Sequence, residues 1–247
     1  MPTEFVMPYC GKLFNDFFME HILFLDIETV STVENYEHLD VRMQQLWNKK
    51  VEKLKLTEDK TPATLYKNAG IYAEFGKVVC ISVAYIKNNE LRIKSFQSQE
   101  EKTLLQDFAD LLHKYFSKNH HRLCAHNGKE FDFPYLCRRM LINGISIPNI
   151  LNVSGLKPWE TKFLDTMELW RFGDYKNYTS LDLLAAVFDI PSPKEDTDGS
   201  MVHELYWQQN DYQRIKNYCE KDVLTVAQLF LRYQGKELLT ENQVIFL

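Results

Sequence analysis

The first residues in this sequence whose types could do chemistry are Asp26-Ile27-Glu28. In an extended segment, residues two apart point to the same side. Two carboxylates held side by side repel, and desolvation raises their pKa values further. A strand end that keeps both implies a cation, and hard divalent ions prefer oxygen ligands. About one D-x-E is expected by chance in a chain this acidic, so the weight lies in its position at the end of an apolar run. A second candidate is His126-Asn127-Gly128-Lys129-Glu130-Phe131-Asp132. Asp132 is there either a ligand or the N-cap of a helix opening at Phe133-Pro134. Phe131 and Phe133 are either core or base-stacking groups, and His126 is equally readable as a satisfied core histidine. The third is Tyr218-Cys219-Glu220-Lys221-Asp222, in which Tyr218 and Asp222 share a helix face. Asp222 borders an apolar stripe, where a carboxylate either finds a partner or metal or turns out to water.

These groups need elements to hold them. HILFLDI (21–27) reads as a strand buried on both faces and ending at the D-x-E pair. KVVCISVAYI (77–86) and LRIKSF (91–96) flank Lys87-Asn88-Asn89-Glu90, a four-residue spacer that predicts a hairpin. Leu104, Leu105, Phe108, Leu111, Leu112 and Tyr115 set a helix over 100–116. RLCAHN (122–127) predicts another buried strand, with a helix from Phe133 that tolerates Pro134 in its first turn. A short strand ends near Asp165. Helices are expected over 180–188, 201–207 and 211–233, the last burying Ile215, Cys219, Val223, Val226, Phe230 and Tyr233. This order implies one α/β domain with a mixed sheet covered by helices. A segment at about 31–75 interrupts it. Leu39, Met43, Leu46, Trp47, Val51 and Leu54 recur there at helical spacing, with Lys49, Lys50, Lys53 and Lys55 outside. It is either an amphipathic cover with a solvated face or a basic lid over a phosphate backbone.

In their order, D-x-E, H-N-x-x-x-F-D and Y-x-x-x-D, the three motifs resemble the DEDD superfamily of 3′→5′ exonucleases, which have an RNase H-like fold. Tyr218, four residues before Asp222, resembles the DEDDy branch; the DEDDh branch has His where this chain has Asn217. NYCEKDV (217–223) and KEDTDGSMVHELYW (194–207) look like stand-alone relatives of the exonuclease domain of family-B DNA polymerases. The resemblance extends from about His21 to Tyr233. It implies an α/β, RNase H-like mixed sheet flanked by helices, with residues 1–18 an appendage or a docked segment and 19–247 a single exonuclease domain. It makes Asp26, Glu28, Asp132 and Asp222 ligands of two Mg²⁺ or Mn²⁺ ions, and Tyr218 the group that orients the attacking water. With an ordinary pKa near 10, Tyr218 is a poor full base. Thr29, Val30, Asn127 and Phe131 are the implied substrate contacts, and Asp165 a supporting residue and not a ligand. The implied reaction is hydrolysis of the terminal phosphodiester of single-stranded DNA, releasing nucleoside 5′-monophosphates. The alternatives are an exoribonuclease and an inactive nucleic-acid-binding protein of the same fold. No polymerase segment is visible, so proofreading in cis is not expected.

Composition narrows the partners. A net charge of −5 disfavours coating of duplex nucleic acid, yet suits a grip on one strand end assisted by metal. Lys129, Arg138, Arg139, Lys157, Lys162, Arg171 and Lys176 are the basic candidates. Five cysteines without a CxxC pair argue against a zinc knuckle and suit a reducing compartment. Without an apolar run of membrane length or a signal sequence, a cytoplasmic protein is expected. The tail Gln243-Val244-Ile245-Phe246-Leu247 is either packed or disordered, or a docking motif for a sliding clamp.

Overall fold

The structure is a computed structural model, and it describes residues 19–53, 60–176, 178–191 and 199–247. The expectations for 1–18, for Leu54 and Lys55, and for 194–198 of the second family motif lie outside those residues. Strand β1 runs Ile22–Ser31, and alternation sorts its side chains onto two faces. Leu23, Leu25 and Ile27 pack with Phe108 and Leu112 of helix α2 (Glu101–Tyr115) and with Phe133 and Leu136 of α3 (Asp132–Ile142). Ile22 and Phe24 pack with Val223, Val226 and Phe230 of the last helix, α6 (Tyr212–Tyr233). Asp26 and Glu28 continue this second series, which is why they face α6.

Six strands form one mixed sheet in the order β5-β4-β1-β2-β3-β6. β2 (Gly76–Lys87) is antiparallel to β1 and to β3 (Glu90–Phe96). β4 (Arg122–Ala125) lies parallel to β1, and β5 (Leu164–Asp165) parallel to β4. The hairpin spacer is shorter than expected. Asn88 and Asn89 alone make the turn, both in the left-handed region at φ 52° and 61°, the pattern of a two-residue type I′ turn. The tail does not hang free: β6 (Val244–Phe246) pairs parallel with Leu91–Ile93 of β3.

Two helices link the outer elements to α6. α4 (Thr166–Arg171) follows β5, and α5 (Leu181–Val187) packs Leu184 and Ala185 against Leu229 and Tyr233. The helix expected over 201–207 is instead broken into a short turn at Val202–Glu204 and a π-helical turn at Leu205–Gln209.

The described parts of the 31–75 segment, 31–53 and 60–75, form an amphipathic cover with its own small core. Helix α1 (Val41–Val51) is capped by Asp40, which accepts the Met43 amide at 2.8 Å. Trp47, Val51, Tyr66, Ala69 and Phe75 pack together, and the Trp47 indole N–H donates to Pro62 O at 2.8 Å. Leu46 was expected inside this cluster but is 43% exposed, because the inward stripe is narrower than the run of apolar residues. Lys50 leans on Glu74 and the Tyr72 ring. The cover docks on β1 beside the D-x-E pair. A Cβ at Gly70 would sit 3.0 Å from the Val30 backbone, so any other residue would push the cover off β1 by a few tenths of an ångström. Tyr135 Oη then donates to Gly70 O at 2.7 Å. Among the described residues no helix is long and apolar enough to cross a membrane.

Candidate active site

β4 stops at Ala125, while β1 continues to Ser31. Asp26 and Glu28 are therefore mid-strand and not at a strand end, as the sequence suggested. No β4 residue pairs with β1 at their level, because the neighbouring strand leaves first. Beyond Ala125 the chain turns through Asn127, in the left-handed region at φ 59°, and enters α3. Asp132 is the first residue of that helix; Phe131 occupies the N-cap position, so capping does not explain the aspartate. Its carboxylate accepts hydrogen bonds from its own amide and from Ile27 N–H. The latter is a β1 donor beyond the last residue paired to β4. Asp132 thus occupies the gap left by the departing strand.

From the other side, α6 brings Tyr218, Cys219 and Asp222 onto the same spot. Cys219 Sγ donates to Asp26 O at 3.4 Å, which pins the helix to the strand. Ligand atoms of Asp26, Glu28 and Cys219 lie within 4.8 Å of one another. Tyr218 Oη donates to the Asp222 carboxylate. The four carboxylates come from β1, the head of α3 and the middle of α6, and they converge.

Their electrostatics are unfavourable. Burial, then Asp222 and Asp132, drive Asp26 well above the usual carboxylate range. Burial, Asp26 and Asp222 do the same to Glu28. Burial pushes Asp132 up to about 7, with Asp165 adding to it and the two amides opposing. Burial pushes Asp222 up to about 7 against the hydrogen bond from Tyr218. Asp182, which the sequence reading missed, also raises Asp222. Burial and these same anions raise the Tyr218 phenol far beyond its usual range, so it remains a neutral hydroxyl. Asp26 Oδ2 is buried with no hydrogen-bond partner. Burying an anion with neither partner nor counter-ion costs several kcal/mol per ion, of order ~3–5 when a partner is missing. The donor set is oxygen, hard and anionic, as a divalent cation of the Mg²⁺ class requires. Cys219 does not join it: burial lifts its thiol well above the usual range, and the proton is committed to Asp26 O.

The remaining expected site residues divide. Asp165 is structural. It accepts the amides of Asn127 (2.9 Å), Lys129 (3.0 Å) and Met167 (3.0 Å), fixing the turn that carries Asn127 while capping α4. Asn127 Oδ1 is buried without a partner. His126 is a satisfied histidine, held by Thr166 Oγ1 at 2.9 Å and donating through Nε2 to Thr179 O at 3.0 Å. Thr29 is half-buried and bonds Tyr135. Val30 is 1% exposed and packs with Val79, Leu205 and Cys219. It has no surface to offer a nucleotide, because the bulge between Glu28 and Thr29 and the docked cover close over it. Phe131 is half-buried against the α2–α3 core, 5.3 Å from the Tyr135 ring. Arg139 is withdrawn as a phosphate contact: it is buried and paired with Glu101. Lys129 is engaged with Glu168, and Arg171 with Glu130 at 3.5 Å. The sequence reading also missed a buried polar chain under the site: Ser82 Oγ to Ser95 Oγ at 2.8 Å, then Ser95 Oγ to Glu220 Oε1 at 2.7 Å. Glu220 sits inside the Tyr218–Asp222 motif, so its acidic type on an inward turn was the available signal.

A mixed sheet with helices on both faces and a carboxylate cluster where a strand leaves it has the RNase H-like architecture of polymerase-type exonuclease domains. Residues 71–243, more than half of the chain, match the family described as predicted 3′-5′ exonucleases related to the exonuclease domain of PolB. The chain belongs to that family. The matched stretch includes Asp132, Tyr218 and Asp222 and begins after β1. Among solved structures the fold is similar to the family B DNA polymerase from the hyperthermophilic archaeon Pyrobaculum calidifontis. The TM-score is 0.50 at 18% identity, over 85% of this chain and 24% of that one. This chain therefore spans about a quarter of the polymerase's length. No curated protein sequence matches it.

Proposed function

We propose that this protein is a DEDDy-type 3′→5′ exonuclease that removes nucleoside 5′-monophosphates from the 3′ end of single-stranded DNA. The observation that carries the reading is the convergence of Asp26, Glu28, Asp132 and Asp222, all with raised pKa values and with Asp26 Oδ2 lacking a partner. That set fits two divalent cations, which Asp26, Glu28, Asp132 and Asp222 would hold. Bound there, Mg²⁺ or Mn²⁺ would supply Lewis-acid activation of water and stabilisation of the leaving 3′ oxygen.

The chain's own residues do the rest. Tyr218 keeps its proton and acts as a hydrogen-bonding group that positions the attacking water, not as a base. Asn127 Oδ1 is buried and unpartnered, so it reaches a substrate strand only if its side chain turns outward. The cover over 31–75 flanks a cleft lined by Glu34, Asn35, Tyr66, Lys67, Ser200 and His203. Glu34 and the net charge of −5 make this cleft no track for a long polyanion, which favours engagement of a short single-stranded end. Docking of 243–247 on a sliding clamp would require the tail to leave β3.

The test is incubation with 5′-labelled single-stranded DNA and RNA oligonucleotides, with and without Mn²⁺. The expected result is a Mn²⁺-dependent ladder shortening from the 3′ end, faster on DNA. Asp26→Ala should lose more than the roughly 10–100-fold typical of groups that merely support a metal ligand. Tyr218→Phe should lower kcat by up to the ~10²–10⁴ expected of a positioned proton-handling group. Digestion by Asp26→Ala at the parental rate would overturn the carboxylate assignment, and a faster RNA ladder the DNA preference.

A further inference from the structure

At the start of β1 three imidazoles meet. His21 directly precedes the strand, and His120 and His121 close the turn that leads into β4. Arg122 N–H donates to His21 O at 3.0 Å, so the parallel pairing that starts both strands fixes the backbones bearing the rings. Ring centroids are 4.3 Å apart for His21 and His120, 4.7 Å for His120 and His121, and 5.6 Å for His21 and His121. One ligand nitrogen from each residue lies within 4.8 Å of the other two. His121 is buried, 5.0 Å from the Phe116 ring. Its Nδ1 accepts the Lys118 amide at 3.2 Å and its ring also bonds the Phe116 backbone. To ligate a metal through Nε2 the ring must carry its proton on Nδ1, so binding exchanges the Lys118 hydrogen bond for a metal bond.

The surroundings of His21 and His121 favour the neutral imidazole, the charge state a metal requires. Burial, then His120, lower the His21 pKa, with Lys118 adding and Glu20 opposing. Burial, then His120, also lower that of His121. Neutral imidazole suits Zn²⁺, Cu²⁺ and Ni²⁺, whereas Mg²⁺ prefers oxygen.

We infer that His21, His120 and His121 form a second metal site, of the zinc class, that clips the start of β1 to the start of β4. Zn–N bonds of about 2.0–2.1 Å in a tetrahedron put ligand nitrogens about 3.3 Å apart. Closing to that spacing takes side-chain rotation, and His120, exposed on a turn, is free to provide it. Glu20, exposed beside His21, or a water completes the set. The site is separate from the carboxylates in place and in chemistry: nitrogen against oxygen, the start of β1 against its middle.

The experiment uses the full chain carrying Asp26→Asn and Asp222→Asn, which disables the carboxylate centre, stripped with a chelator. Co²⁺ titrated into it should give the visible bands of a tetrahedral complex at one equivalent. Zn²⁺ should displace them and raise Tm, and Mg²⁺ should do neither. His120→Ala in the same background, with its fold checked by circular dichroism, should lose the bands and weaken binding at least ~100-fold. His21→Asn should do the same without touching the turn. Absence of Co²⁺ binding in the starting chain, or equal affinity in the His120→Ala chain, overturns the site.

Discussion

Two buried groups of charge lie on opposite faces of the sheet, and they are built on opposite rules. Beneath α2 and α3, Glu101 accepts Arg139 at 2.8 and 2.5 Å, Asn143 Nδ2 at 3.0 Å and the Val78 amide at 2.8 Å. Arg139 donates its remaining branch to Ala73 O at 2.8 Å. Opposite charges, bidentate geometry and satisfied donors leave little outstanding. Facing α6, four carboxylates gather, each raised by its burial, and one Asp26 oxygen has no partner. Folding alone supplies no reason to collect like charges in that way. The first group closes itself; the second is stable only to the extent that it holds protons or takes up cations.

The comparison breaks most readily at Arg139. Arg139→Ala strands the Glu101 carboxylate, and loss of one partner of a buried pair costs about 3–5 kcal/mol. Urea unfolding at neutral pH should register that loss, and the double change Arg139→Met with Glu101→Leu should recover most of it. A single-variant loss under ~1 kcal/mol would mean the pair is not closed as described. The carboxylate group should respond in the opposite direction. Asp26→Asn removes a repelled carboxylate, so thermal unfolding in chelator should show a higher Tm than the parent. A loss of stability in the absence of metal would erase the contrast.

A smaller effect sharpens it through pH. Asp132 and Asp222 are raised to about 7, so between about pH 4 and 7 the folded chain keeps protons that the unfolded chain has released. Their contribution is fully present below the unfolded value and declines as pH rises through the folded one. The slope is at most ~1.4 kcal/mol per pH unit for each proton retained. In chelator, Tm should fall from pH 5.5 to about 8 for this reason. Mg²⁺ should flatten the fall, since it binds the deprotonated form. An unchanged profile in Asp132→Asn would assign the slope elsewhere.

Much of the fold was legible because it is local. Apolar spacing set α2 and α6, and alternation put Asp26 and Glu28 on one side of β1, which the structure turns toward α6. The family motifs carried the choice of Asp132 and Asp222. What failed was whatever depended on a neighbour distant in sequence. Val30 reads like Thr29 in the chain, yet only the docking of Gly70 seals it in. Leu46 fits the helical stripe, but the small core it faces is filled by Trp47, Tyr66 and Phe75. Arg139 looks like any surface arginine until α2 brings Glu101 beneath it. The strand carrying the D-x-E pair looked finished at Ile27, because nothing local says that β4 will leave first.

By itself the sequence determined which side chains are available and how they alternate, since rotamer direction and helical or strand periodicity are properties of a few consecutive residues. Tertiary structure alone decided where β4 ends, that Asp132 takes the vacated Ile27 amide, that Asp26 Oδ2 is buried without a partner, and that His21 meets His120 and His121. Burial and electrostatic coupling depend on which distant segments pack together, and no window along the chain contains both partners.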